Sequence, residues 1–261
     1  MATLEVWFGP AIAAALAATS ASSQSREGAS AAPTEAAAPD SEANPEDHAP
    51  GEVFRAPSFD DVADDLIVGP PEPIEACEQR LEDAGVTFAS SRIPVHENKS
   101  GITCGAPQAV RYVSGPGKIR WSGKPKVACP VAMALSRFEV VVQEEAERHL
   151  GRAVKKIRHM GTYNCREMAA YPGWVSEHSY ANAIDIRSFT LAGGKEIPVL
   201  GNYGEPGAPK TRAERFLQAV ARRTVDEDVF SVVLTPAFDR LHRNHFHLDM
   251  ARYRVDGTVP D

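Results

Sequence analysis

An abrupt change in side-chain type near residue 58 limits how much of this chain can fold around a core. Ala, Ser, Pro and Glu dominate residues 11–57, and branched or aromatic side chains are almost absent between residues 20 and 51. Such a segment buries too little apolar area to offset its backbone entropy. We therefore expect residues 22–58 to be a disordered, acidic linker and residues 59–261 to form one domain.

The negative charge follows the same division. Residues 1–58 account for −6 of the formal net charge of −7, which leaves −1 for the rest of the chain. A nearly neutral domain lacks the broad basic surface on which nucleic-acid binding depends, so we expect no nucleic-acid partner. Apart from a doubtful stretch at the start, no run approaches the roughly 18 apolar residues of a membrane-spanning helix.

Residues 1–21 are similar in part to a secretory signal. Residues 11–18 (AIAAALAA) form a short apolar block, and residues 19–21 (TSA) resemble a cleavage region. The usual basic segment is missing, because Glu5 is the only charged residue before Arg26. The segment is either an atypical signal or an Ala-rich disordered end.

The chain has four cysteines, and none of them forms a CxxC pair. They are Cys77, Cys104, Cys129 and Cys165. The absence of zinc-ribbon spacing disfavours a metal site made of cysteines alone. Two disulfides in an oxidising compartment, the periplasm or the cell exterior, are the better account. Four buried thiols in a cytosolic protein are the alternative. Among three possible connectivities we favour Cys77–Cys104 and Cys129–Cys165, because each pair would link neighbouring elements.

Apolar spacing predicts helices at residues 72–84, 130–150 and 211–224. Alternating segments predict strands at residues 86–89, 110–113, 119–121, 154–160, 183–189, 197–200, 229–234 and 245–250. The turn residues Ser-Gly-Pro-Gly at 114–117 indicate a hairpin between the second and third of these strands. Short, turn-linked strands that alternate with helices indicate an α+β domain with a small antiparallel sheet flanked by helices.

Two histidine-containing clusters carry the recognisable chemistry. His245 and His247 are two residues apart on a predicted strand, so their side chains point to the same side. His178 precedes a predicted strand that contains Asp185, and the loop between them allows both side chains to converge. Two imidazole nitrogens and one carboxylate oxygen form a three-ligand zinc site with a fourth position open for water. The alternative is a set of hydrogen-bonded or solvated histidines without a metal.

At these residues a family resemblance becomes recognisable. The pattern S-x-H-x-x-G-x-A-x-D with a distal H-x-H resembles the zinc peptidases of the lysostaphin, D-alanyl-D-alanine carboxypeptidase and hedgehog group, with Ala181 at the glycine position. Within that group the chain is similar to the bacterial extensin-like C-terminal domain family over roughly residues 74–255. The similar segments are residues 162–166 (TYNCR), 176–189 (SEHSYANAIDIRSF) and 234–249 (LTPAFDRLHRNHFHLD).

The resemblance implies roles for individual residues. It makes His178, Asp185 and His247 the zinc ligands, carried by the small sheet and the loop before it, and makes His245 a catalytic residue beside the metal. Arg166 corresponds to an arginine that orients the substrate or its carboxylate, although a structural ion pair is equally consistent with its position.

One position departs from the pattern of related enzymes. Enzymes with an E-x-x-H motif have a glutamate base three residues before the last ligand, whereas Asn244 occupies this position and cannot accept a proton. The base would then have to be His245, with Asp239 or His242 as a neighbour.

The remaining polar and aromatic residues near these motifs have supporting roles in our interpretation. Four residues are expected just outside the ligand set: Ser176, Asp239, His242 and Asp249. Glu177 is expected to face solvent, and His149 and His159 are interpreted as structural. Four aromatic residues are expected to flank the site and to line a peptide or sugar cleft: Tyr163, Tyr171, Trp174 and Tyr180.

The sequence therefore leads to a zinc-dependent peptidase of the cell envelope that acts on peptidoglycan stem peptides. A zinc-containing module that binds wall peptides without turnover is the alternative, with Asn244 in its favour. A metal-storage or sensing protein is the weakest hypothesis, since no ligand-rich repeat is present. We expect a monomer.

Overall fold

The computed structural model describes residues 73–258, apart from residues 170 and 172. The signal segment and linker expected in residues 1–58, and the first residues of the expected domain at 59–72, lie outside the described residues. Within the described part of the chain, no helix has the length and apolar character needed to cross a membrane.

Helices and strands are mixed along the described chain, as expected for the α+β class. The elements in chain order are α1 (Cys77–Asp83), β1 (Thr87–Glu97), β2 (Thr103–Ser114), β3 (Arg120–Trp121), β4 (Lys126–Ala128), α2 (Cys129–Leu150), β5 (Val154–Gly161), a short 3-10 helix (Glu177–Tyr180), β6 (Ala183–Leu191), β7 (Glu196–Pro198), α3 (Arg212–Asp226), β8 (Val232–Leu234), β9 (Phe246–Asp249) and β10 (Val255–Gly257). All three predicted helices are present: α2 and α3 lie within two residues of their expected bounds, whereas α1 begins at Cys77, five residues after the predicted start.

The larger sheet differs from the small antiparallel sheet that the sequence predicts. It has seven strands in the order β10-β8-β9-β6-β5-β3, with β7 paired to β6. The central pairs are antiparallel, but β10 pairs with β8 and β3 pairs with β5 in parallel. The parallel strands β3 and β10 lie at the two ends of the sheet and are only two and three residues long. β3 falls within the strand predicted at residues 119–121, whereas the pattern of β10 is too short to be detected.

The expected hairpin around residues 114–117 is wrong. β2 pairs with β1 and β4 in a separate three-stranded sheet, whereas β3 joins the larger sheet. The carboxylate of Glu139 in α2 explains the change of direction, because it accepts hydrogen bonds from the backbone N–H groups of Gly115 and Ile119 at 2.9 and 3.3 Å. These bonds draw the turn towards the helix and away from a β2–β3 pairing.

The long helix α2 forms as its end signals predict. Pro130 occupies its first turn, where no N–H group is required, and Gly151 ends it in the left-handed conformation with φ of 63°. Its buried face includes Leu135 and Phe138, and the ring of Phe138 contacts that of Phe230 edge-on. The helix therefore covers one side of the domain core.

The two faces of the larger sheet have different character. Four residues of β6 and β9 are buried in the main core: Ile184, Ile186, Phe246 and Leu248. Since side chains alternate across a strand, the residues between them point to the opposite face. Asp185, His247 and Asp249 lie on that second face, which the core helices do not cover.

The structure confirms two disulfides but corrects their pairing. Cys77 is bonded to Cys129, and Cys104 to Cys165, instead of the favoured Cys77–Cys104 and Cys129–Cys165. The hairpin of β1 and β2 is the reason. Cys104 lies opposite His96 at the far end of an 11-residue strand, about 30 Å from the end that follows α1. Two disulfides in the described chain are typical of proteins in an oxidising compartment.

Candidate metal centre

The 3-10 helix places His178 beside the second face of the larger sheet. Ser176 caps this helix, and its hydroxyl oxygen accepts a hydrogen bond from the backbone N–H of His178 at 3.4 Å. The hydroxyl of Ser179 lies 2.9 Å from the carbonyl oxygen of Arg166 and accepts from the N–H of the same residue at 3.0 Å. The turn that bears His178 is thus attached to the loop that bears Arg166.

The strand register brings Asp185 and His247 together. They are direct partners in the antiparallel pair of β6 and β9, so their side chains project side by side from the same face. Asp249 lies two residues further along β9 and is buried at 2% exposure. A one-residue slip would move all three side chains to the helix-covered face.

Three donor atoms from these elements converge. Nε2 of His178 lies 3.2 Å from Nδ1 of His247 and 3.3 Å from Oδ1 of Asp185, and the last two atoms are 3.0 Å apart. Zinc–nitrogen distances of 2.0–2.1 Å place the ligands of a tetrahedral site about 3.3 Å from one another. The spacing and the chemistry of the donor set therefore fit a zinc ion held by His178, Asp185 and His247.

The surrounding hydrogen bonds prepare His247 for this role. Its Nε2 lies 2.8 Å from Oδ2 of Asp249, on the other side of the ring from Nδ1. Burial lowers the pKa of His247, but hydrogen bonds with Asp185 and Asp249 outweigh it and raise the pKa to about 10. Burial raises the pKa of Asp185, whereas hydrogen bonds from His178 and His247 bring it well below its usual range. A cation at this point would take the position of the proton that these groups share.

His245 lies next to the three donors but outside their set. Its Nε2 is 3.6 Å from Oδ1 of Asp185, and its Nδ1 is 2.9 Å from Oδ1 of Asn244. Because the amide oxygen only accepts hydrogen bonds, this contact favours the tautomer with its proton on Nδ1, in which Nε2 is the unprotonated nitrogen. Burial lowers the pKa of His245 to about 4, which keeps the ring neutral near pH 7.

Asp239 and His242 form a second pair in which, as in Asn244 and His245, a side-chain oxygen contacts Nδ1 of the ring. Nδ1 of His242 lies 2.6 Å from Oδ1 of Asp239, and the His242 ring centre is 5.2 Å from that of His245. Burial lowers the pKa of His242. The structure therefore places both residues beside the candidate centre, outside the three converging donors, where the sequence motif predicts them.

A cavity of about 270 Å³ opens over the donor atoms. Arg166, Tyr171 and Trp174 line it, whereas Tyr163 and Tyr180 are not among its lining residues. The guanidinium group of Arg166 donates to the carbonyl oxygen of Glu167 at 2.9 Å. Arg166 thus lines the cavity, and so do two of the four aromatic residues that were expected there.

Glu177 lines the cavity instead of facing solvent as expected. Its carboxylate accepts a hydrogen bond of 2.7 Å from the side-chain amide of Asn182. Burial, followed by the nearby charge of Asp249, raises the pKa of Glu177 to about 7.

Asn182 is a supporting residue that the sequence interpretation misses. Its side-chain N–H group also donates to the carbonyl oxygen of Met250 at 2.9 Å, and Asn182 is only 2% exposed. The available signal is a polar side chain between two small residues, Ala181 and Ala183, at the start of a predicted buried strand.

The comparisons with known proteins agree with part of this description. Residues 75–258 match the family described as extensin-like protein C-terminus. No curated protein and no solved structure matches the chain. The matched range includes all four cysteines and every residue of the candidate centre. Because it spans more than two thirds of the sequence, the chain belongs to the extensin-like C-terminal family.

Proposed function

We propose that this chain is a zinc-dependent peptidase of the cell envelope that hydrolyses amide bonds in peptidoglycan stem peptides. One observation carries the proposal: three donor atoms at tetrahedral spacing converge at a cavity, with Nε2 of His245 beside them. The resemblance of the motifs to the lysostaphin and D-alanyl-D-alanine carboxypeptidase group supports the same reaction class. The two disulfides support a periplasmic or extracellular location.

Zinc, when bound by His178, Asp185 and His247, would act as a Lewis acid that polarises the substrate carbonyl group and activates water. His245 would accept the proton through Nε2, because Asn244 holds the other ring nitrogen in its protonated form. Arg166 would bind a carboxylate of the substrate at the cavity. His242, held by Asp239, supplies a second neutral imidazole near His245.

The test begins with the metal content of the purified chain. We expect one zinc ion per chain, lost in His178→Ala and in His247→Ala. His149→Ala is the matched control, since its Nε2 lies 3.2 Å from Glu145 in α2 and contacts none of the three donors. Elemental analysis that finds unchanged zinc in both ligand variants would contradict the proposed centre.

Activity is then measured on peptidoglycan fragments by mass spectrometry, with new amino termini as the readout. We expect His245→Ala to keep its zinc and to lose roughly two to four orders of magnitude in rate. Loss of zinc from His245→Ala would make this residue a fourth ligand and contradict its catalytic role.

The second candidate function is a zinc-containing module that binds wall peptides without cleaving them. Asn244 favours it, because its side-chain oxygen accepts a hydrogen bond from His245 and its neutral amide cannot act as a general base. Stoichiometric zinc together with fragment binding, and without new amino termini, would support this module over the peptidase.

A further inference from the structure

Four carboxylates and one arginine line the cavity over the candidate centre. Three of the carboxylates contact imidazole nitrogens of neighbouring histidines, and they belong to Asp185, Asp239 and Asp249. The fourth is Glu177, which accepts a hydrogen bond from the neutral side-chain amide of Asn182. Among the described residues, no lysine, arginine or histidine forms an ion pair with Glu177. The charge of this carboxylate is therefore open to a cation from outside the chain.

Glu177 lies towards the side of His247 that faces away from the three donors. Asp249 contacts Nε2 of His247 on that side, and Glu177 is near enough to Asp249 for their charges to interact. Asn182, which holds Glu177, also donates to the carbonyl oxygen of Met250, the residue after Asp249. A cation at Glu177 would thus occupy a part of the cavity next to the metal position and distinct from it.

Three aromatic residues line the same cavity: Tyr171, Trp174 and Tyr253. The rings of Trp174 and Tyr253 meet edge-on, with their centres 6.1 Å apart and an angle of 81° between their planes. Burial, followed by the charges of Asp249 and Glu177, raises the pKa of Tyr253, so its hydroxyl lies near Glu177. All three aromatic residues keep exposed surface, and Tyr171 is 39% exposed. We call Glu177 and these three aromatic residues the aromatic corner.

We propose that the aromatic corner binds a primary ammonium group of the substrate, with Glu177 as its counter-ion. A carboxylate supplies a charge-assisted hydrogen bond to an ammonium group, and aromatic rings attract the same cation through their faces. The inference rests on the proposed function, since the ammonium group belongs to the peptide whose amide bond lies at the zinc centre. With Arg166 binding a carboxylate in the same cavity, the substrate would carry both an amine and a carboxylate. A stem peptide that contains a diamino acid meets this requirement.

The test measures the affinity of three lysine hydroxamates for the zinc-loaded protein by calorimetric titration. One ligand is acetylated at the α-amine, one at the side-chain amine and one at both, so they differ only in the ammonium group that they carry. We expect a ligand with one unmodified amine to bind at least about tenfold more tightly than the diacetylated ligand. The two monoacetylated ligands then show whether the α-amine or the side-chain amine supplies the ammonium group.

Variants of the aromatic corner locate the preference. Glu177→Gln removes the charge but keeps an oxygen that accepts from Asn182, and Trp174→Leu removes a ring face. Each should reduce the ratio of affinities to less than about threefold, while zinc content is unchanged. Glu167→Gln is the matched control, because this glutamate lies in the same loop as Trp174 but is exposed and does not line the cavity.

The possible outcomes separate the two proposals. Equal affinities for all three hydroxamates, or an amine preference that survives in both corner variants, would overturn the aromatic corner while leaving the zinc centre intact. If none of the hydroxamates binds the zinc-loaded protein, the proposed function fails and the aromatic corner fails with it.

Discussion

The Nε2 atom of His247 lies 2.8 Å from Oδ2 of Asp249, on the side of the imidazole ring that faces away from the converging donors. Asp249 is held in turn by the backbone N–H of Ala251, which donates to its other oxygen at 2.9 Å. A carboxylate in this position fixes the tautomer of a ligand histidine and makes it a stronger donor to a metal.

Asp249→Asn should therefore weaken zinc binding without abolishing it. A neutral amide oxygen is a poorer acceptor for the Nε2–H group, and such changes reduce metal affinity by about 10- to 100-fold. The measurement is a chelator competition at fixed pH.

Asp239→Asn is the matched control for this prediction. Asp239 holds His242 in the same way, but His242 is not one of the three converging donors. Equal losses of zinc affinity in the two variants would show that Asp249 has no special relation to the metal.

The candidate ligands were expected from sequence through two local spacings together with the family resemblance, which implies His247 and not His245 as the ligand. The two-residue spacing of His245 and His247 puts them on one side of the chain, and a loop before Asp185 brings in His178. The bounds of α2 follow equally from a proline at its start and a glycine beyond its end. The meeting of His247 with Asp185 depends instead on the pairing of β6 with β9, which no local spacing predicts.

What the sequence did not reveal depends on long-range geometry. β10 was not predicted because a three-residue strand has no readable period, and its parallel pairing with β8 joins segments that are separated in sequence. β1 was expected to be short because most of its 11 residues are exposed and show no clear alternation. Its true length in turn decides which cysteines can meet.

Asn182 joins the two halves of the candidate centre, which leads to a second prediction. Its side-chain amide donates to Glu177 and Met250, and its backbone carbonyl oxygen accepts from the N–H of Met250 at 3.1 Å. Asn182→Asp would replace a buried donor with an acceptor facing two oxygens. We expect a loss of about 2–4 kcal/mol in the free energy of unfolding and weaker zinc binding.

The measurements are chemical denaturation and chelator competition, and Asn202→Asp provides the control. The same substitution is made at Asn202, whose side-chain amide donates an exposed hydrogen bond of 3.4 Å to the carbonyl oxygen of Leu200. If both variants unfold at the same denaturant concentration as the wild type, Asn182 does not hold the centre together.

Glu139 gives a prediction about pH and stability. It is fully buried, and its carboxyl group accepts hydrogen bonds from Trp121 and Tyr112 as well as from the β2–β3 turn. Burial raises its pKa above the ordinary value, although the hydrogen bonds oppose this shift. The native carboxyl group therefore keeps its proton to a higher pH than the unfolded one.

The sign of the effect follows from this difference. The contribution of Glu139 to the free energy of unfolding is fully present below the unfolded pKa of about 4.3. It declines as pH rises towards the native pKa, by about 1.4 kcal/mol for each pH unit between the two pKa values. Glu139→Gln removes this dependence. The free energy of unfolding of the wild type, relative to that of the variant, should thus fall as pH rises above about 4.3.

Urea denaturation of both proteins at several pH values between 4 and 7 measures this difference. Glu147→Gln, on the exposed side of the same helix, controls for the loss of one carboxylate. If the free energy of unfolding of the wild type, relative to that of the variant, instead rose with pH, Glu139 would be ionised throughout this range. Its hydrogen bonds would then outweigh the effect of burial on its pKa.

The two disulfides allow stability to be separated from function. Cys77–Cys129 joins α1 to α2, whereas Cys104–Cys165 joins β2 to the residue before Arg166. They span 52 and 61 residues, so each should stabilise the fold by a similar amount, about 4 kcal/mol in the chain-entropy account.

Replacing both cysteines of one pair with serine should therefore cause similar losses of stability but different losses of function. Without Cys104–Cys165, the loop of Arg166 loses its covalent link to β2 and is held only by hydrogen bonds, among them those of Ser179 and Asn98. We expect KM for wall peptides to rise severalfold while zinc stays bound. Without Cys77–Cys129, which lies away from the cavity lining, KM should remain at the wild-type value. Steady-state kinetics at a temperature where both variants are folded separates the cases. Equal KM values would mean that the disulfide beside Arg166 stabilises the fold without positioning the substrate.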